Sequence, residues 1–225
     1  MKKIATLLLL ALITISSFAQ RTIDKEVGNF NEIKVFDLIE VNLINSTENK
    51  VVVKGRNTES VKIVNDNGTL KLRMQLEERF DGNQTFIEVY YTSIDVIDAN
   101  EGAEIVSAEA IEQNKIELRA QEGGRIKVGL QVNFAEMKSV TGGIIEASGL
   151  AKSQEVTLNT GGIFEGASLK TQDTKVRITA AGEAEVYAAQ KVDIKVTAGG
   201  DVIVYGNPKE ISKKKFAGGR ITFVD

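Results

Sequence analysis

Glycine pairs recur at a nearly fixed interval through the second half of the sequence, and this interval dictates a stack of equivalent units. The pairs or near-pairs are Gly102-Ala103, Gly123-Gly124, Gly142-Gly143, Gly161-Gly162, Ala181-Gly182, Gly199-Gly200 and Gly218-Gly219. Their second members are 21, 19, 19, 20, 18 and 19 residues apart, a period of about 19. Two positions after the pairs stand Ile105, Ile126, Ile145, Phe164, Ala184, Val202 and Ile221, all apolar. Five before stand Ile97, Leu118, Met137, Val156, Val176, Ile194 and Lys213; three before stand Ala99, Ala120, Ser139, Leu158, Ile178, Val196 and Lys215. A spacing of two puts the last two columns on one face of a strand. Each unit therefore reads as strand, glycine corner, strand, turn. One unit cannot close its own apolar face, whereas a stack buries a continuous core. The expected fold is all-β: a parallel β-helix or β-solenoid with coils of about 19 residues. It is expected to be right-handed, because parallel crossovers within a sheet almost always are.

The corner glycines Gly123, Gly124, Gly142, Gly143, Gly161, Gly162, Gly182, Gly199, Gly200, Gly218 and Gly219 are read as geometry. A tight corner needs backbone angles that a Cβ opposes, and stacked corners crowd backbone against backbone. No GxxxxGK[ST] or GxGxxG pattern occurs, so the pairs do not read as phosphate loops. The last unit differs in placing Lys213 and Lys215 in the inward columns. Solenoid ends need a polar cap, and edge lysines oppose edge-to-edge pairing.

The first half alternates in the same β fashion without the glycine period. Strands are expected at 32–36, 39–44, 50–54, 60–64, 70–76 and 86–91, with a turn at Asn65-Asp66-Asn67-Gly68 and a polar loop over 77–84. The N-terminus has the three parts of a signal peptide: Lys2 and Lys3, an apolar run from Ile4 to Ile15, and Ser17-Phe18-Ala19 before a cut at Gln20. The expected organisation is a signal peptide over 1–19, an irregular β lead-in over 20–96 packed on the stack, and the solenoid over 97–225. Residues 20–225 together make one unit. The expected location is the periplasm or the cell surface. No cysteine follows the signal segment, so lipidation there is not expected, and no second apolar stretch is long enough to span a bilayer.

These features together resemble the auto-transporter adhesin head domain, or head GIN domain, of exported bacterial proteins. Phe30-Asn31-Glu32-Ile33-Lys34-Val35 followed by Glu40-Val41-Asn42-Leu43 is similar to the family's opening strands. Asn67-Gly68-Thr69-Leu70-Lys71-Leu72 is similar to a later strand, and Val204-Tyr205-Gly206-Asn207-Pro208 to its late Gly-x-Pro turn. The likeness covers roughly Phe30 to Val224. It implies a β-solenoid and a surface or periplasmic setting, and it carries no catalytic residues to transfer.

The chain has neither cysteine nor histidine, which excludes disulfides, thiol nucleophiles, Cys/His zinc sites and imidazole-based triads. With 28 basic and 31 acidic residues it has no basic excess for nucleic acid. No cofactor is expected. Three positions after the pairs, Lys127, Glu146, Glu165 and Glu185 fall in one column. Three stacked carboxylates are a candidate Ca²⁺ column, weighed against a hydrated charge column. Glu183, Asp201, Arg125 and Arg220 lie at corner positions and would equip a polysaccharide lyase or hydrolase, the alternative function. Tyr90, Tyr91, Tyr187 and Tyr205 are candidate sugar platforms. The favoured reading is a non-catalytic binding or structural module, adhesin-like, whose partners are cell-surface glycans or envelope and matrix proteins. A third reading is an envelope scaffold that assembles end to end.

Overall fold

The structure, a computed structural model, describes residues 22–224. The expected signal peptide lies outside the described residues. The first strands are β1 (Ile23–Glu26), β2 (Glu32–Val35), β3 (Glu40–Asn45), β4 (Lys50–Gly55), β5 (Val61–Asp66), β6 (Thr69–Met74), β7 (Thr85–Tyr91) and β8 (Val96–Ala99). They form where apolar and polar residues alternate: Ile33 and Val35 in β2, Val41 and Leu43 in β3, and Leu70, Leu72 and Met74 in β6 are all buried. Among the described residues there are two short 3-10 turns and no α-helix.

These strands do more than lead in to the solenoid. β2 pairs in parallel with β6 on one side and with β8 on the other. β3 pairs in parallel with β7 on one side and, on the other, with β9 (Glu104–Ala120). The β2–β3 unit is thus a coil inserted between two coils that come later in sequence. Its corner, Asp37-Leu38, has positive φ at both residues and a closing bond from the Ile39 N–H to the Phe36 carbonyl. The corner geometry is present there without a glycine, which is why the glycine period begins late. The Asp37 carboxylate is fully buried and accepts hydrogen bonds from the backbone N–H groups of Met74 and Phe80. It thereby ties the loop between β6 and β7 to the corner.

Antiparallel strands close the N-terminal end. β4 pairs with β7 and β1 with β4, while β5 returns on β6 through the two-residue turn Asn67-Gly68. The expected division at 96/97 falls inside β8, and one hydrophobic core runs from Phe30 to Val204.

From β9 onward the coils follow one another directly, through β10 (Arg125–Val140), β11 (Ile144–Asn159), β12 (Gly162–Glu165), β13 (Leu169–Ala180), β14 (Gly182–Tyr187), β15 (Lys191–Ala198), β16 (Asp201–Tyr205), β17 (Glu210–Ala217) and β18 (Arg220–Val224). All pairings in this series are parallel, and registers such as Arg125↔Ile144 and Val140↔Asn159 reproduce the repeat. The expected inward columns are buried in every coil before the last. Each such Ile, Leu or Val contributes about 1.5–3 kcal/mol.

At the corner between β10 and β11, Thr141 and Gly142 have φ of 50° and 72°, and the Gly143 N–H donates to the Val140 carbonyl at 3.0 Å. These are the features of a type I′ turn. Gly142 needs its freedom for φ alone, since a Cβ there would meet nothing within 4 Å. Gly143 needs it for space, since a Cβ would lie 2.1 Å from the Ala120 carbonyl oxygen of the preceding coil.

The last coil is exposed. Every residue of β17 is solvent-accessible, and Phe216 is 90% exposed. Lys213 places its Nζ 5.5 Å from the Phe223 ring, and Lys215 donates to the Gly219 carbonyl. The two lysines lie over the apolar end of the stack, where a further coil would otherwise place its core.

Candidate functional site

Each middle coil has three faces, two formed by its main strands and one short face between them. The short face consists of 110–113 in β9, 129–132 in β10, 149–151 in β11 and 169–171 in β13, aligned by the pairs Leu130↔Ile111, Gln131↔Leu150 and Leu150↔Lys170. It stops where the repeat contracts. After β14 the chain passes directly into β15 through Ala188–Gln190, whose Ala189 and Gln190 N–H groups donate to the Thr171 and Gln172 carbonyls. The shorter coil leaves a recess, with Tyr187 as its end.

This recess is a groove of about 510 Å³ crossing five coils. Its amide and charged lining is Gln113, Gln131, Asn133, Lys152, Lys170 and Gln172, and no carboxylate lines it. Adjacent strands stand about 4.8 Å apart, so four steps give a run of roughly 19 Å along the stack. Lys170 holds its Nζ 4.1 Å above the Tyr187 ring centroid and donates to the Ala167 carbonyl. The ring also packs against Gly206, where a Cβ would fall 2.6 Å from the Tyr187 ring. At the floor, buried Thr171 and Thr174 donate to the Tyr187 carbonyl, and Gln154 Nε2 donates to the same oxygen at 3.2 Å. These bonds fix the backbone at the point where the coil contracts.

Several charges elsewhere are paired. On the face carrying β2, Arg119 bridges Glu32 and Glu117, and Lys138 bridges Glu117 and Glu136. Burial works against ionisation of Glu117, but hydrogen bonds and charge from Arg119 and Lys138 prevail and hold its pKa at about 2. Lys152 and Lys170, by contrast, enter no ion pair among the described residues.

The residues singled out from sequence are placed as follows. Lys127, Glu146, Glu165 and Glu185 do stand in one register column, with Lys127 paired to Glu146 at 2.9 Å. Among the described residues no three acidic side chains are grouped to hold a metal. Glu183, Asp201 and Arg220 come together in successive coils and, with Glu185, line a groove of about 390 Å³. Arg220 is locked to Asp201 at 2.8 Å. Arg125 is not part of this group, standing beside Glu104 and Ile144. Tyr91 is buried, Tyr90 lies under Lys50, and Tyr187 is occupied by Lys170, so it acts as a seat for that lysine.

The groove's own residues escaped sequence reading, although one signal was present. Asn114, Asn133, Lys152 and Gln172 recur at spacings of 19, 19 and 20, a polar column with the period of the corners. Asn133 donates to Asn114 at 2.8 Å across neighbouring coils.

The fold and its open grooves define a class: a stacked-coil β head domain that presents long outer faces. The family described as "Putative auto-transporter adhesin, head GIN domain" matches residues 29–208, and the chain belongs to it. Three crystal structures show the same fold. A "putative adhesin" from Bacteroides fragilis NCTC 9343 has a TM-score of 0.84 at 16% identity, over 92% of this chain and 98% of its own. A "putative lipid binding protein" from Parabacteroides distasonis ATCC 8503 has a TM-score of 0.69 at 16% identity, over 93% and 98%. A "putative adhesin" from Parabacteroides merdae ATCC 43184 has a TM-score of 0.68 at 14% identity, over 93% and 98%. No curated protein matches the chain.

Proposed function

We propose that the chain is a non-catalytic, exported binding module of the cell envelope or cell surface, which holds extended ligands across the outer faces of its coils. Residues 1–19 are its signal peptide, and 20–225 act as one head unit without a cofactor. The observation that carries this reading is the groove across five coils. It is long, open and set on rigid strands, a form suited to a polymer or an extended partner rather than to a small substrate. Family membership supports an adhesive role. The Glu183–Asp201–Arg220 group supports catalysis less well. Its Asp201 is already engaged by an arginine that is 74% exposed.

The test is binding of residues 20–225 to cell-surface glycans, outer-membrane fractions and matrix proteins, measured by biolayer interferometry. Saturable binding without shortening of the glycan is expected. Failure to bind all three classes, or depolymerisation of a polysaccharide, would overturn the reading.

A further inference from the structure

We infer that the groove ending at Tyr187 takes an anionic glycan, with Lys152 and Lys170 meeting its acidic groups. This rests on the binding-module reading above and adds the ligand class and the residues that select it.

Three independent features converge. The first is the sign of the charge. The protein as a whole carries a net charge of −3, yet the groove lining contains two lysines and no carboxylate. The adjoining carboxylates, Glu112 and Asp173, lie outside the lining. By contrast, the Glu32–Arg119–Glu117–Lys138–Glu136 ladder on the face carrying β2 is internally neutralised. A concave strip of unpaired positive charge focuses potential towards anions.

The second feature is preorganisation. Lys170 is not a free surface lysine. Its ammonium is held between the Tyr187 ring and the Ala167 carbonyl, and Gly206 packs against that ring. The ring itself sits on a strand whose carbonyl is fixed by three hydrogen bonds from Thr171, Thr174 and Gln154. A charge held in this way loses less freedom on meeting an anion than a mobile side chain does. Neither the ring nor the carbonyl carries a formal charge, so neither is a counter-ion for the lysine.

The third feature is the amide content. Gln131, Asn133 and Gln172 stand beside the lysines, and each side-chain amide can both donate and accept. Such groups suit sugar hydroxyls, which also do both, and suit phosphate or hydrocarbon less well. Lys152 and Lys170 lie in neighbouring coils and are offset along them, since Leu150 is the register partner of Lys170. Acidic groups along one glycan chain laid in the groove would meet both. Leu150, 58% exposed between them, gives the sugar an apolar patch to cover.

The test uses residues 20–225 and three polymers: polygalacturonate for carboxylates, dextran sulfate for sulfate esters, and neutral dextran. Polygalacturonate or dextran sulfate is expected to bind, and the stronger of the two identifies the acidic group. Affinity is expected to fall at least tenfold in the Lys152→Gln/Lys170→Gln double variant and to weaken with added salt. Both lysines are exposed, so the variant is expected to keep the wild-type melting temperature. A Lys213→Gln/Lys214→Gln/Lys215→Gln variant, altered only in the terminal coil, is expected to bind as wild type. Equal binding of neutral dextran, unchanged binding by the double variant, or loss of binding in the terminal variant would overturn the inference and leave the binding-module reading standing. No binding to any polymer or to any envelope fraction would overturn both.

Discussion

Replacing Gly142 and Gly143 by alanine, one at a time, is expected to separate two costs that the corner pair combines. At Gly142 the added methyl meets nothing within 4 Å, so the cost is that of holding an L-residue at φ 72°. That is about 1–2 kcal/mol. A domain of this size loses roughly 2–4 °C per kcal/mol, so Gly142→Ala is expected to lower Tm by about 2–8 °C. At Gly143 the methyl would lie 2.1 Å from the Ala120 oxygen, 2.4 Å from its carbon and 2.9 Å from the Gln121 nitrogen. All three are backbone atoms of the neighbouring coil and cannot swing aside as a side chain would. Restoring an ordinary contact means moving the coils apart by about 1 Å, at the strand spacing fixed by the ladder. The adjacent bond from the Ile144 N–H to the Gly124 carbonyl, 2.9 Å long, would be stretched beyond use. A buried backbone group left unpaired costs about 1–3 kcal/mol and the overlap adds a similar amount, so more than about 3 kcal/mol is expected.

The measurement is thermal and urea unfolding followed by far-UV circular dichroism. Stacked coils can open piecewise, so amide exchange across 120–145 is needed to place the loss at this corner. Gly142→Asn serves as a control, because asparagine tolerates the left-handed region and should cost less than alanine. Equal losses at the two positions, or a larger loss for Gly142→Ala, would refute the division of roles.

Two further outcomes follow from the same geometry. Lys213→Val/Lys215→Val would continue the apolar columns to the open end of the stack, so the variant is expected to self-associate in multi-angle light scattering; a monomer at high concentration would show that the lysines are not the cap. Glu117 has a pKa lowered from 4.5 to about 2, so it contributes stability that is present above its ordinary value and lost as pH falls from about 4.5 towards 2. Glu117→Gln is therefore expected to lower Tm at pH 7 and to flatten the acid decline in that window, and an unchanged acid slope would refute the ladder's role.

Much of this molecule could be read from its residues because a solenoid repeats its physics. Alternation gave the six strands from β2 to β7 to within two residues at each end but not β1, and the glycine spacing gave the registers of the second half. The order of the first coils could not be read in this way. Which free edge β6 and β8 find on β2 is decided by tertiary packing, and nothing local in Glu32-Ile33-Lys34-Val35 states it. The Asp37-Leu38 corner was equally hidden. Its two positive φ values are maintained by a buried carboxylate that bonds to residues 37 and 43 positions away. The groove was hidden for another reason. Its lysines and amides look like ordinary solvated residues until the coil contracts beside them.

That contraction links the fold to the proposed site. A stack of identical coils would present flat faces, with each outward charge free to pair with its neighbour one coil away, as Lys138 does with Glu117. Losing the short face after β13 removes the neighbours that would have stood beside Leu169 and Lys170. Lys170 is left without a carboxylate in the next coil and turns instead to the Tyr187 ring, which the contraction has brought beneath it. The buried Thr171, Thr174 and Gln154 satisfy the carbonyl that the same contraction turns inward. One irregularity in the repeat thus supplies the recess, the fixed lysine and the uncompensated charge together. A variant that lengthened the Ala188–Gln190 turn to restore the face would be expected to abolish all three at once.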